Sequence, residues 1–146
     1  MWVQGLAFPS GAVLSITDTI IERSSATGVL PKGGAIALIG SEASPCCDAT
    51  VTNVRIKDTF TEETEQYSRL LNCESNYNAV LPTGGGAIFL DATSLTIKGC
   101  SIANATATGT GTSGGGILCF TASLTVSGMS ARKVFARGDR AAGGFL

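Results

Sequence analysis

Hydrophobic and polar residues alternate strictly in four short segments of the chain. The segments 14–18 (LSITD), 54–58 (VRIKD), 95–99 (LTIKG) and 124–128 (LTVSG) each read apolar, polar, apolar, polar, and each ends in Asp or Gly. A period of two residues is typical of a strand with one buried face, because successive side chains of a strand point to opposite sides. Each segment is therefore predicted to be a half-buried β-strand that ends in a turn.

A second motif, glycine followed by apolar residues, recurs between these segments. It begins at Gly34, Gly86, Gly116 and Gly144, and a degenerate copy begins at Gly5. Repeats that start at these glycines have lengths of 29, 52, 30 and 28 residues (34 − 5, 86 − 34, 116 − 86 and 144 − 116). Three lengths agree within two residues, so the second repeat is predicted to carry an insertion of about 22 residues.

Repeats of this kind predict an all-β solenoid. A unit of a few short strands cannot bury its apolar side alone, and stacked copies give long parallel sheets. We expect a right-handed parallel β-helix, since parallel crossovers are almost always right-handed. It would occupy residues 1–146 as one segment with about four coils, at 5–33, 34–85, 86–115 and 116–143.

An antiparallel β-sandwich is the competing fold, because it too is built from many short strands joined by turns. Its strands need not resemble one another. Here residues 14–28 align with residues 95–109 without a gap, which favours the solenoid.

The glycine motif resembles that of a known group of repeat proteins. Gly-Gly-Ala-Ile at 33–36 and Gly-Gly-Gly-Ala-Ile at 84–88 look like the repeats of the chlamydial polymorphic outer-membrane proteins. They are also similar to those of the wider pectin-lyase-like right-handed β-helix proteins. The Phe-x-x-Asn phrase that accompanies the motif in the chlamydial repeats is poorly kept in this chain. The resemblance implies a secreted or surface-displayed protein that serves in adhesion or as a structural rod.

Composition and charge limit the possible binding partners and the possible cellular location of the protein. Only 14% of the residues are charged, and the net charge of −1 gives no general attraction to nucleic acid or to an acidic membrane surface. No apolar stretch is long enough for a transmembrane helix. The N-terminus lacks the positive region of a signal peptide, so the expected extracellular or cell-surface location would depend on a signal outside this sequence.

The residue types also limit the chemistry. The chain has no His, which excludes His-dependent acid–base and nucleophilic catalysis and removes the commonest metal ligand. Acidic residues do not recur from repeat to repeat, as a calcium site or a paired-carboxylate site on a β-helix would require. Asp18 and Asp58 align with Gly99 and Gly128, and this column is interpreted as a turn. The sequence therefore predicts no catalytic residues, no cofactor and no metal site.

The insertion in the second repeat is the part of the chain that differs most from the other repeats. It is predicted to form two loops, 40–50 and 61–80, and the second contains the acidic residues Glu62, Glu63 and Glu65. Loops on a rigid scaffold often carry binding sites, so a cell-surface or glycan ligand is expected there.

The five cysteines divide between these loops and the strands. Cys46, Cys47 and Cys73 lie in the loops, and a disulfide from Cys73 to either of the other two would tie the loops together; free thiols or a soft-metal site are the alternatives. Cys100 and Cys119 fall in strands and are predicted to be small core residues.

Two further features concern binding and assembly. Arg137-Gly138-Asp139 matches an integrin-binding tripeptide, although a polar corner with a charge pair is the simpler interpretation. A solenoid without caps exposes strand edges at both ends, so we expect either a fragment of a longer solenoid or a homo-oligomer, such as a filament, formed through the open ends.

These observations favour a non-enzymatic extracellular structural or adhesive β-solenoid that could assemble end to end. The alternative is a carbohydrate-active or carbohydrate-binding β-helix protein, similar to polysaccharide lyases and hydrolases. Ice binding through flat Thr arrays is disfavoured, because the outward Thr residues are not expected to form an unbroken column.

Overall fold

A computed structural model describes residues 2–4, 13–28, 31–39, 48–64, 84–109, 114–138 and 143–144. These residues form eleven β-strands, and none of them lies in a helix. The strands are β1 (Trp2–Gln4), β2 (Val13–Thr17), β3 (Ile20–Glu22), β4 (Ser25–Gly28), β5 (Ile36–Ile39), β6 (Asp48–Thr52), β7 (Arg55–Glu63), β8 (Ile88–Lys98), β9 (Ser101–Thr108), β10 (Ile117–Ser127) and β11 (Ser130–Arg137).

The strands form two parallel sheets. The first sheet has the order β1-β5-β8-β6-β2, with β10 paired to β8, and the second has the order β11-β9-β7-β3, with β4 paired to β7. Every strand pair in both sheets is parallel. The prediction of an all-β fold with parallel sheets is confirmed, and the antiparallel sandwich is excluded. The arrangement is consistent with a β-solenoid.

The register relates residues at unequal distances along the chain. Ile117 lies opposite Ile88, 29 residues earlier (117 − 88), whereas Ser94 lies opposite Asp48, 46 residues earlier (94 − 48). Trp2 pairs with Ala37, a separation of 35 residues (37 − 2), and Gly5 lies outside the described residues. The number of coils and their boundaries stay a prediction.

The core is formed by the inward positions of both sheets. We use the word column for residues that lie opposite one another on successive strands. Ile16, Val51 and Ile97 form one inward column of the first sheet, and Ile56 and Ile102 belong to an inward column of the second. All five side chains are buried. Burial of such aliphatic side chains stabilises a fold by about 1.5–3 kcal/mol each, so these columns hold the sheets together.

One predicted alignment in the second repeat is wrong. Leu14 pairs with Ala49, and Ala49 pairs with Leu95, so the equivalent of the first alternating segment is 49–53 (ATVTN) and not 54–58. Val54 instead precedes β7, which pairs with β9 from Arg55 onward. The segment 54–58 therefore belongs to the second sheet.

The glycine motif lies where the backbones of neighbouring strands approach most closely. A Cβ atom on Gly86 would overlap the carbonyl oxygen of Gly115 and the backbone of Thr106. A Cβ atom on Gly34 would overlap the carbonyl oxygen of Gly86 in the same way. Since Ile88 pairs with Ile117, Gly86 lies opposite Gly115, one residue before the predicted Gly116. Only glycine fits this column.

Parts of the two predicted loops are strands. Asp48 begins β6 and accepts a hydrogen bond from the Ser94 hydroxyl at 2.7 Å, and Thr61 to Glu63 complete β7. The loop prediction is therefore wrong for residues 48–50 and 61–63. Residues 40–47 and 65–80 lie outside the described residues, and Glu65 is among them.

Candidate functional site

Two columns contain residues with a left-handed backbone conformation. We call the positions of these columns the first corner and the second corner. The first column contains Asp18, Asn53, Gly99 and Gly128, and the second contains Arg23, Asp58, Asn104 and Lys133. Their φ angles lie between 48° and 62°. Asn, Asp and Gly adopt this region most readily, which explains their frequency here. The predicted turn column is confirmed for Asp18, Gly99 and Gly128, whereas Asp58 belongs to the second column.

Side-chain hydrogen bonds connect neighbouring strands at both corners. The Asn53 Nδ2 group donates to Asp18 Oδ1 at 3.1 Å, and the Asn104 Nδ2 group donates to Asp58 Oδ1 at 2.7 Å. The Lys57 ammonium lies 3.5 Å from Asp58 Oδ2. The hydrogen bond from Asn104 is the largest effect and lowers the pKa of Asp58. Desolvation, the next largest effect, opposes it, and the nearby Lys57 and Arg23 add to the lowering. Asp58 is therefore a stable carboxylate at neutral pH.

On the outer edge formed by β10 and β11, side chains of the core columns are partly exposed. Leu124 is 40% exposed and Val126 is 39% exposed, whereas their neighbours in the same columns, Leu95 and Ile97, are at most 1% exposed. Within the described ranges, no strand pairs with the far side of β10 or β11. We call this surface the β10–β11 edge. It presents unpaired backbone groups beside partly exposed apolar side chains, which is a template for strand addition.

On the opposite edge, formed by β2, β3 and β4, the inward side chains are better covered, whereas the outward Val13 and Ile20 are 66% and 64% exposed. Ile16 is buried, and Leu14 and Ile21 are half-buried and pack against the core. Among the described residues, each of these three strands pairs on one side only. We call this surface the β2–β4 edge.

The two edges differ in charge. β11 carries Arg132, Lys133 and Arg137, all exposed and all basic. The β2–β4 edge carries Asp18 and Glu22 beside the single basic residue Arg23. The acidic character of the β2–β4 edge becomes apparent only from the strand order.

The tripeptide 137–139 is only partly described. Arg137 ends β11, and its guanidinium lies 4.9 Å from the centre of the Phe135 ring. Gly138 follows with a φ of 128°, and Asp139 lies outside the described residues. Arg137 is exposed and engaged in a cation–π contact. The proposed adhesion role of Arg137, Gly138 and Asp139 stays a prediction.

Cys119 lies in β10, whereas Cys100 lies between β8 and β9 and not in a strand as predicted; both pack in the core. Cys100 is buried, and its thiol lies 3.4 Å from the carbonyl oxygens of Val51 and Lys98, which confirms the prediction that it is a core residue. Cys119 is partly buried against the core, and burial raises its thiol pKa. Both are free thiols. Cys46, Cys47 and Cys73 lie outside the described residues, so the predicted disulfide stays a prediction.

The corrected register changes the outward surface of the first sheet. Ser15, Thr50, Thr96 and Thr125 lie opposite one another and form an unbroken hydroxyl column. The expectation that outward Thr residues form no unbroken column holds for threonine alone, because Ser15 occupies the first position, although Thr50, Thr96 and Thr125 do lie opposite one another. The adjacent outward column contains Thr17, Thr52, Lys98 and Ser127, and Lys98 interrupts its hydroxyls.

The described residues contain no group of three or more Cys, Asp or Glu side chains placed to hold a metal ion. They also contain no helix that is long and apolar enough to cross a membrane. Comparison of the chain with protein-family models, curated proteins and solved structures finds no match in any of the three.

Proposed function

We propose that this chain is a non-enzymatic extracellular structural or adhesive β-solenoid of the right-handed, pectin-lyase-like type. Its repeats form about four coils, and its open edges accept further coils. The fold supports this proposal through parallel strands in two sheets with a shared core. The resemblance of the glycine motif to surface-displayed repeat proteins supports the extracellular role.

The exposure of Leu124 and Val126 is the observation that carries the assembly part of the proposal. Both continue columns whose other members are buried, so one more coil would bury them as Leu95 and Ile97 are buried. Complete burial of an aliphatic side chain contributes about 1.5–3 kcal/mol, and new backbone hydrogen bonds would add to it. For the 146-residue chain, the occupant that we propose is a second copy.

Charge complementarity favours head-to-tail stacking of the two copies. If the β2–β4 edge of one copy continues the register of the other, Leu14 and Ile16 would lie on Leu124 and Val126. Glu22 would then lie opposite Arg132, because both belong to the column of Lys57 and Ala103. Arg23 would face Lys133, which weakens the contact at one corner. A symmetric pairing of two β10–β11 edges would bring three basic residues against three and is less favourable.

Light scattering of the purified chain over a concentration series tests the assembly. We expect the average mass to rise with concentration, and electron microscopy should show unbranched rods. A single monomer mass over the whole range would contradict the assembly part of the proposal.

The surface role is tested with immobilised glycans and with intact cells. We expect retention on one of these surfaces and no release of reducing or unsaturated sugar ends from any polysaccharide. Clear depolymerisation would contradict the non-enzymatic proposal and favour the carbohydrate-active alternative.

A further inference from the structure

The basic residues of the chain are concentrated in the region that runs from the first corner to the second. Residues 17–23, 52–58, 98–104 and 127–133 lie opposite one another and contain six of the ten Lys and Arg residues, against three acidic residues. This region has a net charge of +3, while the rest of the chain, with four basic and eight acidic residues, has −4. The positive charge is therefore a local feature that the overall charge of −1 conceals.

The surface begins at Lys98, just before the first corner, and extends to Lys133 in the second corner column. We call it the basic corner and define it by five exposed residues, which are Arg55, Lys57, Lys98, Arg132 and Lys133. Along a strand, outward positions are about 6.6 Å apart, and neighbouring strands are about 4.8 Å apart. Arg55 and Lys57 are two residues apart on β7, and Arg132 lies in the column of Lys57, two strands further. The basic side chains are therefore distributed over several neighbouring strands.

Small polar residues separate these charges. The positions between the basic side chains are occupied by Ser101, Ser127 and Ser130. Gly99 and Gly128 lie at the first corner. The serine hydroxyls can donate and accept hydrogen bonds, and glycine leaves the backbone accessible. An extended polymer can therefore approach the backbone closely while long basic side chains contact its charges.

Most of this charge has no internal partner. Lys57 forms the ion pair with Asp58, and Asp58 also accepts the hydrogen bond from Asn104. Within the described part of the chain, no ion pair involves Arg55, Lys98, Arg132 or Lys133. In a single copy these four groups remain available to an anionic ligand, whereas in a head-to-tail stack Arg132 would face Glu22 of the next copy.

We propose that the basic corner binds an acidic polysaccharide that carries carboxylate or sulfate groups along its length. The proposal rests on the extracellular role inferred above and supplies its ligand class. Regularly spaced anionic groups match charges that recur on successive strands, and sugar hydroxyls match the serines. Nucleic acid fits less well, because single strands bind by stacking on aromatic side chains and the four segments of this region contain none.

Calorimetric titration with polygalacturonate and with dextran sulfate tests the proposal, with neutral dextran as the uncharged control. We expect binding to the acidic polymers only, weakening as salt rises. The variants Arg55→Gln and Lys98→Gln should each lower the affinity about fivefold. This change corresponds to the loss of one ion contact worth ~1 kcal/mol in water. Arg137→Gln removes the same charge outside the basic corner and should leave the affinity unchanged.

Three results would overturn the proposal. They are absence of binding to both acidic polymers at physiological salt, an equal loss in Arg137→Gln, and equally tight binding of single-stranded DNA in competition. Circular dichroism of each variant checks that the fold is retained. Light scattering of the same variants measures the assembly separately. A failure of glycan binding can therefore be distinguished from a failure of the proposed structural role.

Discussion

Asp58 belongs to the second corner column, and its carboxylate contributes to the charge of the surface. Its pKa is lowered chiefly by the hydrogen bond from Asn104, so the folded state favours the carboxylate. The stability that this contributes is fully present above the unfolded pKa, near 3.8, and is lost as pH falls through the lower folded pKa.

Asn104→Gly tests this coupling, because glycine keeps the positive φ of 53° without strain and removes the amide. We expect the pKa of Asp58, followed by carboxyl NMR, to rise toward its ordinary value. We also expect the acid-dependent part of the free energy of unfolding to become smaller. An unchanged Asp58 pKa would show that Asn104 does not set it.

Two threonines of β7 offer a matched pair in the core. Thr59 and Thr61 are both buried, but the Thr61 hydroxyl donates to the Gly85 carbonyl at 3.1 Å, whereas Thr59 Oγ1 has no hydrogen-bond partner among the described residues. Thr59→Val should raise the free energy of unfolding by about 1 kcal/mol, because it removes an unsatisfied hydroxyl. Thr61→Val should lower it by about 1–2 kcal/mol, because it breaks a buried hydrogen bond. Urea unfolding of both variants measures the difference, and equal effects would contradict it.

The glycine columns determine how closely neighbouring strands approach. Gly86→Ala would place a methyl group against the Gly115 carbonyl and the Thr106 backbone, and we expect a loss of about 3 kcal/mol or more. Gly128 has a φ of 59° but no atom nearer than 3.5 Å to an added Cβ, so Gly128→Ala should cost only the left-handed strain of about 1–2 kcal/mol. Denaturant unfolding compares the two. A larger loss for Gly128→Ala would contradict the close-approach explanation.

The strands were predictable from the alternating pattern, but the register of the second repeat was not. Both 49–53 and 54–58 read apolar, polar, apolar, polar and end in Asn or Asp. The reason is physical: the chain turns twice within about ten residues, and both corners require a left-handed residue. The pattern is therefore the same before each corner, and only strand pairing distinguishes them.

The one-residue error at Gly116 has a similar origin. Three consecutive glycines, 114–116, stand where the other repeats have two glycines and Ala35 or Ala87. Since Gly116 occupies the position of Ala35 and Ala87, the motif alone does not fix which glycine begins the repeat.

The surfaces were less predictable than the fold, because they depend on which strands lie outermost and which columns coincide. Lys98 and Arg55 belong to different segments of the sequence, and only the register places both beside the first corner. Likewise, the partial exposure of Leu124 follows from its place on the outermost strand and not from its residue type, since Leu95 is buried in the same column.

Assembly of whole molecules can be tested through the charges that would meet at the stacked edges. In head-to-tail stacks, Arg132→Glu would place two carboxylates opposite each other, because Glu22 of the next copy lies there. Replacing an attraction by a repulsion of about 1 kcal/mol each should weaken association by roughly tenfold or more, seen as a shift of the light-scattering mass curve to higher concentration.

Glu22→Arg combined with Arg132→Glu restores an opposite pair with the charges exchanged, and it should recover most of the association. Arg137→Glu serves as the matched control, because the same register places the uncharged Thr27 opposite Arg137. Its mass curve should move less than that of Arg132→Glu. If the double variant associates no better than Arg132→Glu alone, the two edges do not meet in this register, and the head-to-tail arrangement is wrong even where the chain still oligomerises.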